Sequence, residues 1–176
     1  MNLQSIEQEM QKIPGNGPVL EELDKLLESG EAIALVGAGA SAELWPLWNQ
    51  FLQGFIDHSL KNGKIKPEEA EYFRNEAPQN PLETAQLLRN KIGEALYFEY
   101  LYETFRDKIS PQTNGAFTLT HRALLQLPIH NYLTLNYDAG LTNARASLYP
   151  KATTSYFFWD QEEAWRTPSV RDEHRI

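Results

Sequence analysis

The chain has 176 residues, 41% of them hydrophobic, which is enough for one domain with a real core. Its net charge of −8 argues against a general grip on nucleic acid, which needs Lys and Arg to displace counterions from phosphates. It has no Cys, which excludes disulfides, a thiol nucleophile and a thiolate metal site within these residues.

The start, "MNLQSIEQEM", is polar and acidic and does not read as a signal peptide. No apolar run approaches the roughly 20 residues of a membrane span, so a soluble, cytoplasmic protein is expected. Residues 2–13 read as a short helix closed by "IPGNGP". A second helix starts at Pro18, carries Val19, Leu20, Leu23, Leu26 and Leu27 as its apolar stripe, and ends at Ser29-Gly30. "EAIALVG" reads as a buried strand. A glycine-rich turn follows, and Pro46 opens a helix with Trp48, Phe51, Leu52, Phe55 and Ile56 on one face to about residue 61. From 67 to 109 the pattern stays helical. "SPQTNG" is a loop, and 116–127 a helix with Phe117, Leu119, Ala123, Leu124 and Leu127 inward. "IHNYLTLNYD" is the next strand with its turn, "AGLTNARASLY" a helix, "ATTSYFFW" a third strand, and 160–176 a polar tail.

Strands that alternate with helices predict an α/β fold, a Rossmann-like parallel sheet with helices on both faces. The helical stretch between the first two strands is far longer than a crossover needs and predicts a helical insertion at about 62–115 within a single domain spanning 1–176.

Two turns carry chemistry. In "LVGAGAS", Gly37 and Gly39 remove side chains where a pyrophosphate would approach, with Ala38, Ala40 and Ser41 completing the turn. The strand–glycine–helix order aims backbone N–H groups at a phosphate. Ser41 can cap the helix or donate to a phosphate or ribose oxygen. A plain tight turn with a serine cap explains the same residues. A hydride-transfer enzyme fits poorly, because the acid expected about 20 residues on would be Asp57, inside a helical stripe. In "YLTLNYDAGLTNA" a strand ends in Asn136, Tyr137 and Asp138 before a helix. Both turns would lie at the carboxyl edge of a parallel sheet, where ligands bind. The simpler account has Asp138 capping the helix and Asn136 tolerating the turn.

These residues, in this order, resemble the SIR2 superfamily, the NAD-consuming sirtuins and their bacterial relatives. "LTLNYD" is similar to the sirtuin Thr-Gln-Asn-x-Asp motif with Leu135 in place of glutamine, and the run His121, Leu124, Leu127 resembles the helix before it. Pro46, Leu47 and Trp48 match the Pro-x-Trp that follows the glycine turn in SIR2-like NAD hydrolases of bacterial antiphage systems. The likeness covers about residues 30–148. It implies a catalytic Asn136, an Asp138 that binds the nicotinamide amide, and an NAD site formed by Gly37, Ala38, Gly39, Ala40, Ser41, Trp48, Asn136, Tyr137 and Asp138. It further implies NAD as substrate, no metal, NAD or ADP-ribose as ligand, and assembly into homo-oligomers or with a partner defence protein or further C-terminal domain. The sirtuin Gly-x-Pro-Asp-Phe-Arg run is replaced by "ELWPLWNQ", which removes an arginine and an acid expected for deacylation.

NAD hydrolysis breaks a C–N bond whose leaving group is already cationic, so no general acid is needed. Orientation, a dry pocket and a placed water are what help. Asn136 can hold ribose hydroxyls or that water without titrating, and cannot be the base. His121 reads as a buttress or local cap, and His58 and His130 as surface residues. Tyr156, Phe157, Phe158 and Trp159 read as core strand, and the pairs Glu68-Glu69 and Glu162-Glu163 as solvated charge. No metal-ligand spacing is present. The family's catalytic His stands in a His-Gly pair, whereas His174 is followed by Arg175 in a polar stretch. The expectation is a fragment cut before that strand, which turns NAD over hardly at all. The alternatives are a non-catalytic module sensing NAD or ADP-ribose, and a protein deacylase.

Overall fold

A computed structural model describes residues 12–152. In chain order the elements are α1 (Asn16–Ser29), β1 (Ile33–Val36), α2 (Trp48–Lys61), α3 (Pro67–Glu76), α4 (Pro81–Ile92), α5 (Glu94–Phe105), α6 (Leu119–Leu125), β2 (Asn131–Thr134) and α7 (Gly140–Leu148). The fold is mixed α/β and mostly helical, with β1 and β2 paired as a two-stranded parallel sheet. The body of the helix expected at 2–13 and that of the strand expected at 152–159 lie outside the described residues. Among the described residues, no helix is long and apolar enough to cross a membrane.

The chain divides into two compact units. The first contains α1 and most of both strands. Gly30, in the left-handed region (φ 72), closes α1 by donating its N–H to the Leu27 carbonyl at 3.3 Å. Ala32 and Tyr132 are buried, but Ile33, Leu35 and Leu133 are exposed, as are Val19, Leu23 and Leu26 of α1. The fully buried strand expected at 31–37 is therefore buried on one side only. Side chains alternate across a strand, and the outward set meets no covering element among the described residues.

The second unit, residues 36–123 and 134–150, holds the main core. There α2 packs against α3, α4 and α5. Its Leu52, Phe55 and Ile56 lie buried against Ile65, Ala70, Phe73, Ala77, Leu88 and Ile92, each large apolar side chain contributing about 1.5–3 kcal/mol. This core thus draws on α2 as well as on the segment expected as an insertion. The helical pattern from 67 to 109 is broken twice. Pro81 begins α4, where a missing N–H costs nothing, and Gly93 (φ 85) turns the chain into α5. Glu69 accepts the Lys66 N–H at 2.8 Å to cap α3 and also pairs with Lys91, which holds its carboxyl below the usual range. Glu69 is thus tied to two partners instead of simply solvated.

Gly54 is explained by packing. A Cβ there would stand 2.4 Å from the Tyr100 hydroxyl, which itself donates to the Phe51 carbonyl at 3.0 Å. Glycine lets α5 approach α2 this closely. Burial raises the Tyr100 phenol above its ordinary value.

Candidate functional site

Every residue singled out at the two turns falls in the second unit. β1 ends at Val36, and Gly37 continues extended (φ −102) into a single 3-10 turn, Ala38–Ser41. Backbone bonds from Leu44 and Trp45 to the Ser41 carbonyl, at 2.9 and 3.0 Å, carry the turn onward. The long helix starts only at Trp48, two residues after Pro46. Ser41 makes no capping bond, so the expected capping role does not hold.

Ser41 is 1% exposed and sits at the centre of a polar cluster. Its Oγ lies 3.3 Å from His121 Nε2 and accepts from Asn136 Nδ2, also at 3.3 Å. The partners of the other ring nitrogen fix the direction of the histidine bond. The Thr118 backbone N–H donates to His121 Nδ1 at 3.2 Å, so Nδ1 is the lone-pair nitrogen and Nε2 carries the proton toward Ser41. The Thr118 hydroxyl, 3.1 Å from the same nitrogen, donates instead to the Ala40 carbonyl at 2.7 Å. Burial lowers the His121 pKa from its ordinary 6.5, with the Asp138 carboxylate pulling the other way.

This accounting has two chemical results. His121 donates to Ser41 and so cannot take its proton, which excludes a serine nucleophile activated by this histidine. With both acceptor positions of Oγ filled by His121 and Asn136, the Ser41 hydroxyl is left as a donor.

Thr118 and His121 also build α6. His121 N–H donates to Thr118 Oγ1 at 3.2 Å while the Thr118 N–H returns to the imidazole. It is a capping box with histidine at the position glutamate usually holds. The helix therefore starts at Leu119, later than the expected 116. This turns His121, Phe117 and Leu125 inward, leaving Leu119 and Ala123 exposed. His121 caps the helix locally, one of the two roles the sequence suggested.

Asn136 takes the turn after β2, its N–H donating to Thr134 Oγ1 at 3.1 Å. Asp138 Oδ1 accepts the Gly140 N–H at 2.9 Å and so serves the start of α7. Gly140 is pressed against both partners: a Cβ there would lie 2.5 Å from His121 Cε1 and 2.8 Å from Asp138 Oδ1. Tyr137 is exposed, but its ring lies 5.5 Å from Phe105 and 6.5 Å from Phe51. Trp48 stacks on Phe51 at 5.6 Å and meets Tyr137 only through that ring. Tyr97 of α5 is pushed up to about 12, first by burial and then by the Tyr137 hydroxyl.

Sequence reasoning missed Thr118, Phe51 and Phe105 as parts of the site. The signal for Thr118 was present in "TLTH", the capping spacing with an unusual fourth residue. The two aromatics carried no local signal. His58, read as a surface residue, is half-buried with its ring 5.0 Å from Tyr100, and His130 is half-buried as well. Tyr156–Trp159, Glu162, Glu163 and His174 lie outside the described residues. A hollow of about 490 Å³ is lined by Gln86, Arg89, Asn90, Gly93 and Glu94, none of which belongs to the two turns. No group of three or more His, Asp or Glu that could hold a metal occurs among the described residues. No protein-family model matches the chain, and no curated protein is significantly similar to it.

Proposed function

We propose that the second unit binds NAD at the glycine turn and the Asn136 turn, in a Rossmann-like setting, and that the protein hydrolyses NAD to nicotinamide and ADP-ribose as an antiphage-defence effector. One observation carries the proposal. A glycine needed only for a tight turn has a positive φ or a crowded Cβ position. Gly37 and Gly39 have neither: both lie outside the left-handed region, and a Cβ at either would meet nothing within 4 Å among the described residues. Their bare backbone is accounted for by a partner that approaches from outside, and a pyrophosphate is such a partner.

The chemistry follows from the cluster. The Ser41 hydroxyl donates to a ribose or phosphate oxygen, and the Asn136 amide oxygen accepts from a ribose hydroxyl or the attacking water. The ring of Tyr137, backed by Phe105 and Phe51, gives a flat apolar surface for the departing nicotinamide. Asp138 retains one carboxylate oxygen beyond its bond to Gly140 for the nicotinamide amide. His121, neutral and bonded at both nitrogens, is not the base.

That last point favours a second reading, a module that senses NAD or ADP-ribose without turning it over. Calorimetry with NAD tests both: binding in the micromolar to millimolar range is expected, and no heat up to millimolar NAD would end the NAD proposal. A nicotinamide-release time course then separates hydrolase from sensor, and the His174→Ala variant tests that histidine as the base.

A further inference from the structure

Arg145 is the largest fully buried side chain among the described residues, at 1% exposure. It lies on α7 four residues after buried Leu141, and so on the inward face of a helix otherwise packed through Leu141 and Ala144. Its guanidinium has five donors and keeps its charge at any ordinary pH. One nitrogen, Nη1, donates to the Tyr149 carbonyl at 3.0 Å and so caps the end of its own helix. The Tyr149 ring lies over the guanidinium, 4.8 Å from centroid to carbon. Helix capping explains that nitrogen alone. Nε and Nη2 are out of contact with solvent and have no hydrogen-bond partner, and none of the ion pairs of the described residues involves Arg145.

The two unpartnered nitrogens are neighbours on one edge of the planar group, with their N–H bonds directed the same way. That edge matches the two oxygens of a carboxylate or phosphate, the arrangement of a bidentate arginine–oxyanion pair. A buried cation that can neither lose its proton nor reach water is strongly unfavourable until an anion meets it. We infer that Arg145 is an oxyanion-binding residue, whose Nε/Nη2 edge takes a phosphate or carboxylate group of a small soluble metabolite. Tyr149 closes over it at the end of α7. The inference does not depend on the NAD proposal, since Arg145 takes no part in the Ser41–His121–Asn136 cluster.

The test uses the 176-residue protein in a buffer free of phosphate and carboxylates. Inorganic phosphate and acetate are titrated in turn, while thermal melting and the arginine Nε–H resonances are followed by NMR. The Arg145 signal is assigned by its loss in Arg145→Lys. A response to phosphate or acetate is expected as a shift of that resonance together with a Tm rise of about 2–4 °C. The anion that acts more strongly identifies the source. Arg145→Met should melt higher than wild type before any addition, because a lone buried charge is gone, and should ignore both anions. Wild-type spectra that respond to neither anion would overturn the inference. So would an Arg145→Met protein that responds to the anions as wild type does, since the binding would then lie elsewhere. If Arg145→Met does not fold, the wild-type titration decides alone.

Discussion

Glycines in two regions of the second unit look alike in sequence and are there for opposite reasons. In the helical core, Gly54 is fixed by the Tyr100 hydroxyl that a Cβ would strike, and Gly93 by its positive φ. At the end of β1, Gly37 and Gly39 have ordinary backbone and open space. A glycine whose neighbours demand it belongs to the fold. One that no neighbour demands is not required by the packing around it. The same division runs through the larger side chains: α2–α5 hold the core, while the two turns hold polar groups that satisfy one another.

If that division is right, substitutions should separate cleanly into losses of stability and losses of function. The largest effect belongs to the core. Phe55→Ala should cost about 3–5 kcal/mol in chemical denaturation, because it empties the centre of the α2–α5 cluster. A loss below 1 kcal/mol would mean the core is not built as described. Asn136→Ala comes next, with melting nearly unchanged and nicotinamide release lowered ~10²-fold or more, the usual effect of removing one positioned polar group. Release at the wild-type rate would remove Asn136 from the mechanism.

The two glycine classes can then be set against each other directly. Gly39→Val should leave stability within about 1 kcal/mol yet weaken NAD binding at least ~10-fold, equivalent to about 1.4 kcal/mol. Gly54→Ala should do the reverse. Its gain in helix propensity, about 1 kcal/mol, is outweighed by an overpacking cost of about 1–3 kcal/mol, and NAD affinity stays put. Equal behaviour of the two variants would dissolve the comparison.

The smallest effect is in pH. His121 has a lowered pKa in the fold, so the unfolded chain binds the extra proton first. Its contribution is fully present above the ordinary value of 6.5 and is lost as pH falls from there through the folded value. Melting temperature should drop between pH 7 and pH 5, and His121→Gln should flatten that part of the profile. An unchanged slope would mean that burial does not hold the imidazole neutral.

Much of this was legible in the sequence, where the signals are local. Ser29-Gly30 and Pro67 punctuate helices through their own backbone geometry, and both turns at the strand ends were visible as residue order, whereas the breaks at Pro81 and Gly93 were read through as one helical pattern. The start of α6 was misplaced because Phe117 continues the apolar period while Thr118 and His121 decide the cap. Capping here depends on an imidazole reaching back, a bond that no propensity encodes. The aromatic backing of Tyr137 was invisible, since Phe51 and Phe105 come from helices far apart in the chain and meet only when α2 and α5 pack. Likewise, the direction of the Ser41–His121 bond follows from a third residue, Thr118, and no pairwise motif could have supplied it.

Gly140 illustrates how such an arrangement constrains its neighbours. It bears no functional group, yet the volume of a single methyl at that position is already taken by the His121 ring and the Asp138 carboxylate. Any larger residue must displace the imidazole, which would release Ser41, unseat the start of α6 and misplace Asp138 together. In a saturation screen for activity, position 140 should therefore tolerate as few replacements as Asn136, and for the opposite reason. Asn136 is restricted by what its side chain does, and Gly140 by the room that its missing side chain leaves for others.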